Sequence, residues 1–223
     1  MQVSNETIEV LKNFAGINPN IVISPGQKLK TISEAKNIMA EADITEDFPL
    51  EFGIYDLNEF LSVLSLVDNP QLDFDESFVK VTNGGLNVKY FYSEKDILTT
   101  PQKDINMPEC EVQFVLDNDT LNKLRSAATA LGHTEVSVTP GDGVLTLSVV
   151  DNENATSNAY SIDVPYTSKP DTPFTFVINI GNLKIIPGDY EVSISSKLIS
   201  EFKNKEVNVR YWIALEKTST FGV

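Results

Sequence analysis

The sequence predicts an α+β fold built from two copies of one domain. Two observations support this prediction. Short amphipathic helices are followed by β-rich hairpins in each half, and four stretches of the first half recur in the same order in the second. With 223 residues, 41% of them hydrophobic, the chain can form two packed domains of roughly 110 residues each. Because the strands come as hairpins, we expect an α+β rather than a βαβ arrangement.

The four recurring stretches lie at offsets that drift between 113 and 124 residues, as loop insertions and deletions would leave them. They are "TIEVLKNFA" from Thr7 with "TLNKLRSAA" from Thr120, "ISPGQKLKTI" (23–32) with "VTPGDGVLTL" (138–147), "DFPLEFGI" (47–54) with "DTPFTFVI" (171–178), and "LNVKYFY" (86–92) with "VNVRYWI" (207–213). The sequence therefore predicts one domain over residues 1–95 and another over 109–223. The polar, proline-containing segment 96–108 is predicted to be a linker.

Each copy is predicted to begin with a short helix. In the first copy the helix spans residues 6–15, with candidate N-caps Ser4 and Asn5, and its predicted apolar face consists of Ile8, Leu11 and Phe14, with Val10 beside it. In the second copy it spans 119–131 and ends at Gly132. Its apolar face is formed by Leu121, Leu124, Ala128 and Leu131, after candidate caps Asp117, Asn118 and Asp119.

Hairpins follow each helix, over residues 21–43 and 135–166. The first is predicted to turn at Pro25-Gly26, as the second does at Pro140-Gly141. An alternating strand, "LEFGI" or "FTFVI", then leads to a second helix with Asp56 or Asn179 as N-cap. In the second copy Pro187-Gly188 stops this helix early. Further strands end each copy at "NVKYFYS" and "NVRYWIAL".

The composition excludes several classes of site. Cys110 is the only cysteine, so the chain has neither an internal disulfide nor a thiolate metal cluster, and we expect it in the core. His133 is the only histidine and lies at a predicted helix exit, so a hydrolase that depends on it is disfavoured. Neither zinc-type nor phosphate-binding glycine motifs occur. We therefore expect no enzymatic activity, no metal and no cofactor.

The N-terminal "MQVSNETIEV" does not resemble a secretory signal, and no apolar run approaches the ~18 residues of a membrane span. We expect no membrane partner. The formal net charge of −15 argues against an open surface that binds nucleic acid, because phosphates would be repelled.

The duplicated order of elements resembles the DNA sliding clamps, in particular those of T4-like bacteriophages. The segments that carry the resemblance are "VLKNFAGIN" (10–18), "IYDLNEFLSVLSLV" (54–67), "NLKIIPGDY" (182–190) and "YWIALE" (211–216). The resemblance implies a DNA-clamp fold with sheets outside and two helices per copy lining the hole of a homotrimeric ring, twelve helices in all. It also implies a processivity factor that encircles duplex DNA, tethers the replicative polymerase and coactivates late transcription, in the cytoplasm of the infected bacterial host.

The implied partners are two further copies of the chain, sequence-independent duplex DNA, a C-terminal peptide of the polymerase, an ATP-dependent clamp loader and late-transcription factors. Three chains of −15 would give a ring of −45. A closed ring holds DNA by topology, so it needs only a mildly cationic inner wall, and outer acidic residues are screened over ~8–10 Å. Net charge therefore argues less strongly against a ring than against an open DNA-binding module.

Four cations are expected to face the hole: Lys12, Lys123, Arg125 and Lys184. Lys12 lies off the apolar face of the first helix and matches Arg125 in the second copy, while Lys184 is placed in the fourth predicted helix. The alternative is that these exposed helix faces carry solvated charge only. A second group, Lys197, Lys203 and Lys205, belongs to a segment that either reaches DNA at the rim or is a plain exposed loop.

The family's peptide pocket lies between the linker and the C-terminal region. The apolar residues nearby in this sequence are Ile97, Leu98, Ile213 and Phe221, while Trp212 is expected to belong to the core. Ring closure requires a head-to-tail contact, and the end strands of each copy are the candidates. A ring-forming structural protein of the virion is the alternative function.

Overall fold

The computed structural model describes residues 1–152, 154 and 156–222. It divides into two compact units, Met1–Asp104 and Ile105–Val223. The division falls inside the predicted linker, and the exact domain bounds stay a prediction. The α+β class and the two copies of one topology are confirmed by the order of elements in the two units.

The first unit begins with a helix and contains two helices and seven strands among its described residues. They are α1 (Asn5–Ile17), β1 (Ile21–Ile23), β2 (Gly26–Ile32), β3 (Ile38–Phe48), β4 (Phe52–Ile54), α2 (Leu57–Ser65), β5 (Gln71–Phe74), β6 (Phe78–Asn83) and β7 (Leu86–Phe91), with a 3₁₀ turn at Lys95–Ile97. Within the unit β1 pairs with β4, β2 with β3, and β5, β6 and β7 form an antiparallel sheet in that order.

The second unit follows a similar order, with an additional strand before its first helix. Its elements are β8 (Val112–Leu116), α3 (Asn118–Leu131), β9 (Glu135–Pro140), β10 (Leu145–Val150), β11 (Tyr160–Val164), β12 (Tyr166–Ser168), β13 (Phe174–Asn179), β14 (Tyr190–Ser195), β15 (Ile199–Asn204), β16 (Val209–Ala214) and β17 (Thr220–Phe221). One antiparallel sheet has the order β11-β10-β9-β13-β17, and in another β12, β8, β14, β15 and β16 are neighbours in that order.

The first helix of each unit forms where it is predicted, because both ends are marked locally. The side chain of Ser4 accepts a hydrogen bond from the Thr7 N–H and caps α1. Asp117 caps α3 in the same way, and Gly132 ends it in the left-handed conformation. The buried face of α1 consists of Thr7, Val10, Leu11, Phe14 and Ile17. Ile8, which was expected on this face, is only half-buried.

The hairpin predicted about Pro25-Gly26 does not form. β1 pairs with β4 and β2 pairs with β3, so the strands on either side of Pro25-Gly26 have different partners. In the second unit Pro140-Gly141 does join the paired strands β9 and β10. A Pro-Gly sequence predicts where the chain turns, but the ladder partner depends on the strands that lie nearby in the fold. Glu153 and Ala155, within the predicted hairpin segment 135–166, lie outside the described residues.

The second helix forms in only one unit. Asp56 caps α2 by accepting hydrogen bonds from the N–H groups of Asn58 and Glu59, as predicted. Its counterpart is a three-residue 3₁₀ turn, Ile180–Asn182, whose Asn179 side chain accepts from the Gly181 N–H. The prediction of two helices per copy is therefore wrong for the second unit, and Lys184 lies in an irregular loop. Among the described residues, no helix is long and apolar enough to cross a membrane.

Candidate functional site

Lys12 projects from the solvent face of α1. Its Nζ lies 2.7 Å from Glu9 Oε1, one helical turn away, and its side chain is 56% exposed. An exposed ion pair of this spacing contributes little to stability and exchanges readily with other partners. The ammonium group of Lys12 is therefore available to an anion that approaches this face of the helix.

Lys123 has a similar place on α3. Its Nζ lies 2.6 Å from Asp119 Oδ2 and its side chain is 52% exposed. Hydrogen bonding to Asp119 raises the pKa of the Lys123 ammonium, so the side chain is charged at neutral pH. It lines a shallow open groove of about 540 Å³ together with Ala127, Ala130 and Tyr160.

Arg125 differs from the two lysines because its side chain is half-buried. Its Nη2 donates to the backbone oxygen of Leu183 at 2.5 Å and to that of Ile185 at 3.4 Å. Burial lowers the pKa of the guanidinium from its usual value, although the neighbouring Tyr190 acts in the opposite direction. The Arg125 guanidinium therefore donates hydrogen bonds to backbone carbonyls of its own unit.

The loop 183–189 takes the place of the expected fourth helix. The Ile186 N–H donates to the Tyr211 hydroxyl at 3.2 Å, and the Tyr190 hydroxyl donates to the Ile186 oxygen. The Gly188 N–H donates to Asn118 Oδ1 at 3.1 Å. The loop is irregular, but its backbone is tied to α3 and to two buried tyrosines.

Three of the four predicted cations belong to the second unit. Lys123 and Arg125 belong to α3, and the two carbonyls that Arg125 holds flank Lys184, whose side chain is exposed. Lys12 belongs to the other unit. The three lysine residues are exposed, whereas the Arg125 guanidinium donates to carbonyl oxygens of the loop.

The residues predicted for a peptide pocket differ in exposure. Ile97 is 64% exposed and Phe221 is 37% exposed. Leu98 is buried, with its Cδ1 only 2.7 Å from where a Cβ on Gly53 would lie. Ile213 is fully buried in the core at β16, and its assignment to the pocket stays a prediction. Phe221 lies in β17 and stacks on Phe176, with ring centroids 6.2 Å apart.

The end strands of the two copies differ at one aligned position. Phe91 in β7 is 67% exposed, while its counterpart Trp212 in β16 is buried, as expected. β7 lies at the end of its three-stranded sheet. The face that carries Phe91 also carries Lys89, whose Nζ lies 4.5 Å above the ring of Phe78.

Two other residues expected to be inert lie near the surface. Cys110 is half-buried rather than in the core, and burial raises the pKa of its thiol. His133 follows the end of α3 and contacts the Asn158 oxygen through Nε2 at 2.7 Å. Among the described residues, no cluster of His, Cys, Asp or Glu could hold a metal ion.

Sequence reasoning missed one buried acid. Glu46 in β3 is 7% exposed and accepts hydrogen bonds from the Ser4 N–H and the Thr7 hydroxyl at the start of α1. Burial alone would raise its pKa, but these hydrogen bonds outweigh burial, and the pKa lies below its ordinary value. Strand alternation predicts an inward position for residue 46, but no local pattern reveals its partners.

Known proteins match this chain over nearly its whole length. The model of the DNA polymerase processivity factor family matches residues 4–89, and that of the gp45 sliding clamp C-terminal domain matches 113–217. The sliding clamp of Vibrio phage KVP40 is 37% identical over 222 residues, covering 97% of this chain and 99% of that protein. That of Escherichia phage RB69 is 31% identical over 228 residues, covering 99% of each.

Solved structures show the same fold at low identity. The PCNA of A. fulgidus, solved with the C-terminal region of FEN-1 bound, has a TM-score of 0.71 at 13% identity and covers 98% of each chain. The PCNA of Thermococcus kodakaraensis has a TM-score of 0.70 at 14% identity, covering 97% of this chain and 99% of that one. The matched domains, in the order found here, show that this chain belongs to the sliding clamps of T4-like bacteriophages, a family of DNA polymerase processivity factors.

Proposed function

We propose that this chain forms a closed homotrimer that encircles duplex DNA and tethers the replicative polymerase to it. The observation that carries the proposal is the exposed lysine on each of the two equivalent helices, Lys12 on α1 and Lys123 on α3. Each ammonium group pairs with an exposed carboxylate, which a phosphate can replace at little cost. Such contacts bind the DNA backbone without reading its sequence, which is what sliding requires.

The test is neutralisation of the proposed lining. The triple variant Lys12→Gln, Lys123→Gln, Lys184→Gln should shorten the polymerase product made per binding event on a long primed template. It should also lower the salt dependence of DNA binding by about 0.9 in log–log slope for each lysine that no longer binds a phosphate. The matched control is Lys36→Gln, Lys103→Gln, Lys217→Gln, which removes the same charge at exposed lysines outside both predicted groups. If both triples behave alike, the lining assignment is wrong.

Edge strands supply the proposed ring contact. β7 ends the sheet β5-β6-β7 of the first unit, and β11 ends a sheet of the second unit. Both strands leave main-chain groups available for a further strand. Exposed Lys89 on β7 and exposed Asp163 on β11 give the two edges opposite charges. Pairing β7 of one copy with β11 of the next is a heterologous contact, which generates a ring when its rotation closes.

Assembly can be measured directly. Sedimentation equilibrium should give a species of three times 24.7 kDa. A monomer at high concentration, or a mass that rises without limit, would count against a closed trimer.

We extend the proposal to the remaining family partners in the cytoplasm of the infected host. A separate ATP-dependent loader would open the ring, and the chain itself would catalyse no reaction. The polymerase C-terminal peptide and late-transcription factors would use exposed apolar residues, for which Ile97 in the first unit and Phe221 in the second are the candidates. Titration of a labelled polymerase C-terminal peptide against Ile97→Ser and Phe221→Ser tests each residue, and unchanged affinity in both would exclude them.

A further inference from the structure

The loop 183–189 contains one exposed cation, Lys184, between two buried apolar residues. Leu183 and Ile185 are 5% and 4% exposed, whereas Lys184 between them is exposed. Buried apolar neighbours on both sides restrict the backbone at residue 184 and send its side chain outward. In a helix the hydrogen-bond ladder would supply this rigidity, but an irregular loop must obtain its hydrogen bonds from elsewhere in the unit.

Arg125 supplies two of these hydrogen bonds, one on each side of Lys184. Its Nη2 reaches the carbonyl oxygens immediately before and after Lys184, at 2.5 and 3.4 Å. A planar guanidinium keeps several donors in a fixed geometry, whereas the compact ammonium of lysine sits on a flexible stem. Replacing Arg125 with Lys would therefore keep the charge but abolish the geometry.

The rest of the loop is fixed by other groups of the same unit. The Tyr211 hydroxyl accepts the Ile186 N–H, and Asn118 at the start of α3 accepts the Gly188 N–H. The Asn118 N–H in turn donates to Asp189 Oδ1 at 2.9 Å. These contacts hold residues 186–189, and Arg125 holds the segment that carries Lys184.

We infer that Arg125 is a positioning residue that fixes the backbone on both sides of Lys184, and that Lys184 rather than Arg125 contacts the phosphate backbone. This inference rests on the proposed DNA-encircling function. It reverses the expected role of Arg125, whose half-buried guanidinium already donates to protein carbonyls. A phosphate could reach it only if the loop released those carbonyls.

The charge-conserving variant Arg125→Lys separates the two roles. We measure binding of the assembled ring to a short end-labelled duplex over a salt series, for Arg125→Lys, Lys184→Gln and the double variant. Lys184→Gln should lower the log–log salt slope by about 0.9, the value of one phosphate contact. Arg125→Lys should weaken binding nearly as much although the net charge is unchanged, and the double variant should be no weaker than Lys184→Gln. Wild-type binding by Arg125→Lys, or additive effects in the double variant, would overturn the inference.

A second readout requires no DNA. Amide hydrogen exchange at Lys184 and Ile185 should accelerate in Arg125→Lys, while exchange in the core of α3 stays at the wild-type rate. If Arg125→Lys lowers global stability, exchange at Lys184 and Ile185 is compared with exchange in the core of α3 of the same variant, and only a larger acceleration in the loop supports the positioning role. Unchanged exchange in Arg125→Lys contradicts the positioning role. Failure of the proposed function has a different signature, since all lysine variants would then bind the duplex like wild type while exchange still responds to Arg125.

Discussion

The hydroxyl of Thr7 donates a hydrogen bond to the carboxylate of Glu46, 39 residues along the chain. The same carboxylate accepts the backbone N–H of Ser4, the residue that caps α1. A helix N-terminus carries free N–H groups and partial positive charge, both of which favour a carboxylate. Glu46 thus ties α1, and with it Lys12, to strand β3.

Replacing Glu46 with Gln should destabilise the first unit. The amide keeps the shape but removes the charge, so its hydrogen bonds weaken and one donor at the helix start faces an NH₂ group. We expect a decrease of ~1–2 kcal/mol in the free energy of unfolding, measured by chemical denaturation at neutral pH. The exposed Glu34→Gln is the matched control and should change stability little. Equal stability of the two variants would show that Glu46 contributes nothing.

The same carboxylate predicts a dependence on pH. Because its pKa in the folded chain lies below the ordinary value, its contribution is present above the pKa of the unfolded chain, about 4.3 for glutamate. The contribution is lost as the pH falls through the lowered folded pKa. The stability difference between wild type and Glu46→Gln should therefore be constant above about pH 5 and shrink in acid. A difference that grows as the pH falls would contradict the assignment.

Gly188 offers a sharp test of the loop. Its φ is +145°, and a Cβ there would lie 2.7 Å from Nδ2 of the buried Asn204. Gly188→Ala should cost ~1–3 kcal/mol, because strain and crowding act together. The control is Gly16→Ala in α1, where nothing lies within 4 Å of the new Cβ and helix propensity predicts a gain of ~0.5–1 kcal/mol. Thermal unfolding should show a lower melting temperature for Gly188→Ala and a higher one for Gly16→Ala.

Phe91 tests the proposed ring contact. An aspartate at this exposed position should leave the fold intact but place a charge on the edge strand β7. We expect Phe91→Asp to sediment mainly as a monomer at concentrations where wild type is trimeric. Tyr55→Asp, at another exposed aromatic position of the same unit, 64% exposed, is the control and should assemble normally. Trimers from Phe91→Asp would remove β7 from the interface.

The helices whose N-cap residues can be recognised in the sequence were predicted from local signals. The α1, α2 and α3 helices are capped by Ser4, Asp56 and Asp117, because each cap side chain accepts hydrogen bonds from N–H groups two or three residues away. An N-cap residue did not suffice to predict whether the fourth helix forms. Asn179 does cap a turn, but Pro187-Gly188 and the contacts of Arg125 favour a loop.

Contacts between residues that are distant in sequence could not be predicted from local sequence patterns. Pro25-Gly26 marks a change of direction, but the partner of β1 is β4, some thirty residues away. The donors to Glu46 and the carbonyls held by Arg125 are likewise distant in sequence. The lysines Lys12 and Lys123 were placed correctly on exposed helix faces because 3.6-residue periodicity alone decides that.

Phe91 on β7 is exposed and its counterpart Trp212 is buried, so the corresponding strands of the two units present different surfaces. In the proposed ring, the open edges are β7 of the first unit and β11 of the second, so each subunit would have a donor side and an acceptor side. A subunit with only its donor side blocked could still join one neighbour through the other side. Mixing it with a subunit blocked on the acceptor side would yield a dimer that can neither lengthen nor close, a chain terminator for ring assembly.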